Sequence, residues 1–232
     1  WKLANIIPNH KKTRTRDLGD FRPLSILPSL SKVLEILAKE QLVEYLQRNN
    51  LIDRYQSSYR KKHSTETVLL HLTDHIRRAF ERKQITILLL LDFTKAFDTI
   101  RHDKLLQKLR LEFKFSSSAI SFLCDYLTDR MQRVTIENHT SSPIAVRQGI
   151  PQGSVLGPLV FMLYINNLPS SLKYILHHMF ADDVQLYYSC TEVNIADAFS
   201  KINDDIAAVC HVCGPKLSFS PARSTQILCV SG

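Results

Sequence analysis

The sequence predicts an α+β fold in which helices pack on one face of an antiparallel sheet. Three observations lead to this prediction. Two amphipathic helical patterns precede residue 85, and an unbroken apolar run at 85–91 indicates a central buried strand. Strand-like segments at 175–180 and 184–189 are separated only by a short turn. With 232 residues, 44% of them hydrophobic and 22% charged, the chain can bury a sizeable core.

The first helices are predicted from apolar residues that recur at spacings of three and four. Residues 11–16 and 21–25 lack this periodicity and are expected to form a loop. A helix follows at 29–48, and a second begins after Ser64, which is a favourable N-cap. The residues expected on their core faces are Leu30, Val33, Leu34, Leu37, Ala38 and Leu42 in the first helix, and Leu69, Leu72, Ile76, Ala79 and Phe80 in the second.

The rest of the chain mixes strands with shorter helices. The apolar run at 85–91 delivers Asp92 at its end, and the strand pair near residue 180 carries Asp182 and Asp183 at its tip. A loop rich in Gly and Pro is expected at 149–154. The other predicted elements are helices at 103–112 and 117–128, a hairpin of 132–137 with 143–147, a helix from the loop to about 167, and a helix at 191–213.

Charge and composition narrow the function classes. The chain has 30 Lys and Arg against 22 Asp and Glu, and this net charge of +8 favours a polyanionic partner such as nucleic acid or an anionic membrane surface. Its longest apolar runs are far shorter than the roughly 20 residues of a membrane span. Five cysteines without regular spacing argue against a disulfide scaffold, and the pair at Cys210 and Cys213 lacks the further ligands of a zinc ribbon.

The three aspartates are the first candidates for chemistry. If the strand that ends before Asp92 pairs with the hairpin that carries Asp182 and Asp183, three carboxylates come together and repel one another. Mg²⁺ relieves such repulsion because it prefers oxygen ligands, and two Mg²⁺ ions about 3.5 to 4 Å apart suit nucleotidyl transfer. The alternative is a solvated turn, which is the commoner role of an Asp-Asp pair.

Three segments, in this order, resemble the polymerase motifs of reverse transcriptases from non-LTR (LINE-type) retrotransposons. Residues 91–98, LDFTKAFD, resemble motif A; residues 149–158, GIPQGSVLGP, resemble motif B; and residues 180–183, FADD, resemble the motif C box. The resemblance spans nearly the whole chain, since it extends to FRPLS at 21–25, YRKKHST at 59–65 and YINNLP at 164–169.

This resemblance implies the fingers and palm of a right-hand polymerase. Residues 1–84 would be mainly fingers and 85–232 mainly palm, without the thumb and endonuclease regions of the parent polyprotein. The implied activity is RNA-templated DNA synthesis, with an RNA template, a DNA primer and dNTPs as partners, no membrane, and two Mg²⁺ ions as cofactors for which Mn²⁺ can substitute. The start without Met or signal peptide agrees with a piece of a longer protein. The parent element is expected to act in the nucleus after ribonucleoprotein assembly in the cytoplasm.

The resemblance also implies a metal site. Asp92 and Asp182 would be the main Mg²⁺ ligands, with Asp183 beside them and the carbonyl of Phe93 completing a site.

Four further residues would contact the nucleotide. Phe97 would be the steric gate that excludes a ribonucleotide, and Gln152 would line the nucleotide pocket. Gly153 would permit close approach of the backbone to substrate or template, and Arg60 would grip the triphosphate. The alternatives are a core role for Phe97 and a solvated cation for Arg60.

Several positions depart from the family pattern. Lys62 stands where the family usually has Gly, and Asn167 where it has Asp. In the region that resembles motif D, Ser220 replaces Asn, and Arg223 replaces a lysine that is thought to protonate pyrophosphate, a proton that Arg gives up far less readily. Two rival functions therefore stay open: an inactive remnant or nucleic-acid-binding module, and an RNA-dependent RNA polymerase, against which Phe97 and the 151–153 loop speak.

Overall fold

The computed structural model describes residues 2–10, 21–60, 62–91, 93, 97–213 and 226–230, with only the backbone of 212–213 and 226–230. The strands are β1 (Leu3–His10), β2 (Phe21–Ile26), β3 (Ile85–Leu91), β4 (Arg130–Ile136), β5 (His139–Thr140), β6 (Ile144–Val146), β7 (Leu176–Phe180), β8 (Asp183–Cys190) and β9 (Gln226–Val230). The helices are α1 (Ser29–Arg48), α2 (Thr65–Glu81), α3 (His102–Leu111), α4 (Ser117–Leu127), α5 (Gly157–Ile165) and α6 (Ile195–Cys213).

Two compact units make up the chain, and each combines two separate segments. The first unit contains residues 1–48 and 97–160, and the second contains 49–96 and 161–232. The division into fingers and palm near residue 84 stays a prediction.

The first unit is built on a five-stranded sheet. Its order is β2-β1-β4-β5, with β6 also paired to β4, and β1 runs parallel to β4 from Leu3↔Met131 to Ile6↔Val134. The other pairs are antiparallel. The loop expected at 21–25 is wrong, because these residues form β2. Its strand signal is weak: Pro23 pairs with Pro8, and neither proline has an N–H to donate to the ladder.

α1 has the predicted bounds, and Leu42 is buried as predicted, but the first half of the helix does not have the predicted orientation. Leu30 is 81% exposed and Val33 is 53% exposed, whereas Glu35 is only 1% exposed. Within the described part of the chain, the first half of the helix therefore buries a charged residue and leaves its apolar side chains exposed. The reason is the set of hydrogen bonds that the Glu35 carboxylate accepts, described below with the candidate site.

The second unit is built on a four-stranded antiparallel sheet of order β7-β8-β3-β9. The predicted antiparallel sheet is confirmed, and β3 occupies the predicted residues in a central position. α2 packs on one face, where Leu72 meets Leu88 and Tyr187. Ile87 and Leu89, which point to the opposite face, are also buried, as expected of a central buried strand.

The N-terminus of α2 shows how local sequence sets an element boundary. The Ser64 side chain accepts a hydrogen bond from the Thr67 N–H, and the Thr67 hydroxyl accepts one from the Ser64 N–H. This capping box satisfies two donors that a helix start leaves open, and it confirms the predicted N-cap. Leu72 and Ala79 are buried as predicted, whereas Leu69 is mostly exposed and Val68 is buried in its place.

Among the residues that the structure describes, no helix has both the length and the apolar composition needed to cross a bilayer.

Candidate active site

The end of β3 and the β7–β8 turn lie at the same edge of the second unit's sheet. Leu91, the last residue of β3, pairs with Val184, one residue after the start of β8. Asp92 follows Leu91 in sequence but lies outside the described residues. We expect the carboxylates of Asp92 and Asp182 to be about 4 to 7 Å apart. That distance stays a prediction.

Phe93 is placed by packing. Its ring is buried and meets the ring of Phe161 edge to face, with 5.7 Å between centroids. This contact anchors the chain two residues after the end of β3. The role predicted for the Phe93 carbonyl as a metal ligand stays a prediction.

Asp182 and Asp183 occupy the tip of the β7–β8 hairpin, as predicted. Phe180 pairs with Asp183, so Ala181 and Asp182 form a two-residue turn. Asp182 is half-buried and Asp183 is exposed. Ala181 has a φ of 55°, in the left-handed region that non-glycine residues adopt at a cost of about 1 to 2 kcal/mol. The turn that presents Asp182 is therefore strained.

The donor chemistry at this edge fits Mg²⁺. Asp182 and Asp183 offer carboxylate oxygens, the hard ligands that Mg²⁺ prefers, next to the end of the strand that leads to Asp92. Within the described ranges, which leave out Asp92, no group of three His, Cys, Asp or Glu side chains could hold a metal ion. The contribution of the Asp92 carboxylate to a metal site stays a prediction.

Tyr59 is a neighbour of Asp182 that the sequence analysis missed. Burial and, next, the negative charge of Asp182 raise the pKa of the Tyr59 hydroxyl to about 12. The hydroxyl therefore stays protonated near Asp182 and can act only as a neutral group at ordinary pH.

Arg60 is held by the main chain that precedes it. Its Nη1 donates to the carbonyl oxygens of Arg54 at 2.7 Å and Asp53 at 3.2 Å, and more weakly to that of Gln56. These bonds orient the guanidinium of this half-buried residue, and the solvated alternative stays open. The Nε and Nη2 donors take no part in these three bonds. The predicted contact with a triphosphate stays a prediction.

The first unit brings Phe97 and Gln152 to one place. The Phe97 carbonyl accepts a hydrogen bond from the Ile150 N–H at 2.7 Å, and the Asp98 carboxylate accepts one from the Gln152 side chain at 3.0 Å. Gly149, with a φ of 84°, permits this contact, since a Cβ there would lie 2.8 Å from the Phe97 carbonyl oxygen. Hydrogen bonds therefore link residues 97–98 to the loop that carries Gln152. Asp98 was missed because a lone Asp carries no signal of its partner.

Gly153 makes a close approach, but to the protein itself. A Cβ at this position would lie 2.9 Å from the Ser25 carbonyl oxygen, and the residue has a φ of 100°. The Ser25 N–H in turn donates to the Gln152 carbonyl at 2.8 Å. The glycine is therefore required by β2, and its predicted approach to substrate or template stays a prediction.

Glu35 anchors the chain that follows this loop. One carboxylate oxygen accepts hydrogen bonds from the Val155 N–H at 2.7 Å and the Leu156 N–H at 3.0 Å. The other oxygen accepts from the Ser31 hydroxyl. The buried carboxylate thus satisfies backbone donors just before α5, and it holds the end of the loop against α1. Its position among apolar residues of α1 gave no sign of this role.

The departures from the family pattern find one structural explanation. Lys62 has a φ of 65°, the left-handed conformation that glycine adopts without strain, which accounts for a preference for Gly there. Asn167 precedes a short 3₁₀ turn, Leu168–Ser171, without a side-chain cap. Ser220 and Arg223 lie outside the described residues.

Comparison with known proteins agrees with the resemblance to reverse transcriptases. The family model "Reverse transcriptase (RNA-dependent DNA polymerase)" matches residues 7–218. A probable RNA-directed DNA polymerase from transposon BS of Drosophila melanogaster is 34% identical over 84% of this chain and 22% of its own length. The RNA-directed DNA polymerase from mobile element jockey of the same species is 32% identical over 73% of this chain and 18% of its own length. The chain thus spans about a fifth of these relatives.

Solved structures agree on the fold. Telomerase from Candida tropicalis, in complex with a TWJ fragment of telomeric RNA, superposes with a TM-score of 0.67 at 13% identity, over 98% of this chain and 41% of that one. The apo enzyme truncated from its C-terminal domain gives a TM-score of 0.66 over all of this chain and 51% of that one, at 14% identity. At such identities the likeness shows the fold alone. Together with the match over residues 7–218, it identifies the chain as a member of the reverse transcriptase family, related to the RNA-directed DNA polymerases of non-LTR retrotransposons.

Proposed function

We propose that this chain carries out RNA-templated DNA synthesis as the polymerase region of a retrotransposon protein. The observation that carries the proposal is the family match over residues 7–218, within which the three polymerase motifs stand in order. In the reaction, the 3′-OH of a DNA primer attacks the α-phosphate of a dNTP, and pyrophosphate leaves.

The first set of residues in this proposal binds metal ions. Asp92, Asp182 and Asp183 would hold the divalent cations, with the Phe93 carbonyl as a further ligand. Two Mg²⁺ ions bound there would activate the attacking oxygen and stabilise the charge on the leaving group.

Three residues are proposed to contact the nucleotide. Arg60 donates to the triphosphate through a guanidinium that the 53–56 backbone already orients. Phe97 excludes a 2′-OH by its bulk, and Gln152, oriented by Asp98, lines the pocket for the incoming nucleotide.

Nucleic acid is the proposed partner. The net charge of +8 supports an RNA template paired to a DNA primer. The chain spans about a fifth of its relatives' length, and cooperation with endonuclease and thumb regions of a parent polyprotein is part of the proposal. Assembly with RNA in the cytoplasm and synthesis in the nucleus belong to the same proposal.

A primer-extension assay tests the proposed activity. We expect the chain, supplied with an RNA template, a DNA primer, dNTPs and Mg²⁺, to extend the primer, and Asp182→Asn to abolish extension without lowering the melting temperature. The longest reading frame that encodes the chain should be assayed in parallel. Failure of both proteins to extend any primer, while still folded, would contradict the proposal.

A second candidate function is nucleic-acid binding without synthesis. The observation that favours it is Arg223, which stands where the family pattern has a lysine and retains its proton more strongly. The two functions differ in a simple test, because a binding module retains affinity for an RNA–DNA hybrid but incorporates no nucleotide. Arg223→Lys should raise the rate of incorporation if synthesis is merely slowed.

A further inference from the structure

The strained turn that carries Asp182 is hydrogen-bonded to residues that lie outside the β7–β8 hairpin. The N–H of Ala181 donates to the Ser58 hydroxyl at 2.5 Å and to the Gln56 side-chain oxygen at 3.3 Å. Ser58 is only 6% exposed and Gln56 is fully buried, so water does not compete freely for these bonds. The residue immediately before Asp182 is therefore fixed by two buried acceptors.

The backbone of the same segment is bonded to β7. The Ser57 N–H donates to the Met179 carbonyl at 2.9 Å, and the Met179 N–H donates to the Tyr55 carbonyl at 2.9 Å. Gln56 thereby forms a parallel bridge with Met179. Residues 55–58, which we call the clamp segment, thus run beside the last residues of β7 and reach the turn from there.

The clamp segment also leads directly into Arg60, whose Nη1 bonds to carbonyl oxygens just before and within it. The residue predicted to hold the triphosphate and the turn that carries Asp182 therefore share one support. A local shift of this segment would move both.

From this geometry we infer that Ser58, with Gln56 as a second acceptor, is a positioning residue for Asp182. By holding the Ala181 N–H, it keeps Ala181 in its left-handed conformation and so sets the direction in which the Asp182 carboxylate leaves the turn. The inference rests on the proposed function insofar as Asp182 binds a catalytic metal ion. It adds a residue outside the segments that resemble motifs A, B and C.

Pre-steady-state nucleotide incorporation by Ser58→Ala provides the main test. The burst rate reports the chemical step, and the burst amplitude reports the fraction of folded, active protein. We expect the rate to fall about tenfold or more, because small displacements of a catalytic group have effects of this size. The amplitude should stay near the parent's. Ser58→Thr, which keeps a hydroxyl acceptor, should retain most of the rate.

Ser57→Ala is the matched control. Ser57 is a buried serine in the same segment, but its hydroxyl contacts His178 at 2.9 Å and not Ala181. We expect this variant to lose stability comparable to Ser58→Ala while keeping the parental burst rate. Equal losses of rate in both serine variants, a loss confined to the amplitude, or a parental rate in Ser58→Ala would overturn the inference.

Binding of Mn²⁺ separates this inference from the proposed function. Electron paramagnetic resonance of free Mn²⁺ measures the affinity without primer or dNTP, and Ser58→Ala should weaken it about tenfold, as loss of a supporting contact typically does. If the chain binds Mn²⁺ but synthesises no DNA, the proposed activity fails while this measurement still decides the role of Ser58. A folded chain that neither extends a primer nor binds Mn²⁺ overturns both.

Discussion

Phe97 is the residue whose substitution best separates a DNA polymerase from an RNA polymerase. Its carbonyl accepts a hydrogen bond from the Ile150 N–H, and the residue is half-buried. We expect Phe97→Val to admit ribonucleotides while dNTP incorporation persists, because a smaller side chain removes the clash with a 2′-OH. Ratios of incorporation efficiency for rNTP and dNTP measure this change.

The control for this substitution is thermal melting. If Phe97 were a core anchor, its truncation would cost roughly 3 to 5 kcal/mol and the variant would melt early. A variant that melts like the parent, uses dNTPs and still rejects rNTPs would show that Phe97 is not the gate.

His178 should make the stability of the second unit depend on pH. The side chain is 4% exposed, and burial followed by the neighbouring histidines lowers its pKa to about 4 from the usual 6.5. Between these two values the unfolded state binds a proton that the folded state does not. Unfolding free energy should therefore be highest above about pH 6.5 and fall as the pH drops towards 4, by about 2 kcal/mol between pH 7 and pH 5.

Denaturant unfolding at pH 7 and pH 5 measures this loss. In His178→Gln the difference between the two pH values should shrink. It should not vanish, because burial also lowers the pKa of His63 and of His75. If the difference in unfolding free energy between pH 7 and pH 5 were unchanged in the variant, groups other than His178 would cause the pH dependence. The titratable groups that act on His178 are His63, His71, His177 and Asp53.

At the scale of elements, α1 and the loop before α5 depend on one carboxylate. Glu35→Ala would leave the N–H groups of Val155 and Leu156 without their acceptor, and each buried unsatisfied donor costs about 1 to 3 kcal/mol. We expect a loss of about 2 to 4 kcal/mol in denaturant unfolding. Glu40→Ala, on the exposed side of the same helix, should lose less than about 0.5 kcal/mol.

The same substitution has a functional consequence, because Glu35 holds the end of the loop that carries Gln152. In the folded fraction, Glu35→Ala should raise the KM for dNTP more than Glu40→Ala does. Equal stability and equal KM in the two variants would show that the loop is held by its bonds to Ser25 and Asp98 alone.

For the whole molecule, the excess of basic residues predicts how binding responds to salt. Contacts between Lys or Arg and phosphates release counterions, so affinity for an RNA–DNA hybrid should fall about tenfold or more between 50 and 200 mM salt. Fluorescence anisotropy measures the slope, and melting at each salt concentration confirms that the protein stays folded. Affinity that is indifferent to salt would exclude phosphate contacts as its main source.

Local patterns in the sequence were enough to determine several features. The apolar run of β3, the spacing in α1 and the Ser64 cap placed these elements at their observed bounds, since periodicity and capping involve residues within a few positions of each other. The order of the three motifs likewise identified the family. These features depend on short segments, which the sequence displays directly.

Only the tertiary structure decided which polar groups support the candidate site. Ser58 and Ala181 are 123 positions apart, and Glu35 and Val155 are 120 apart. β1 and β2 likewise become strands by pairing with each other, and β1 also with β4, despite their prolines. A hydrogen bond between distant segments depends on how the whole chain folds, and a lone Ser or Glu carries no mark of its partner. The same limit explains why Glu35 is buried. Helical spacing predicts an apolar face, but it does not show that distant backbone N–H groups need a hydrogen-bond acceptor.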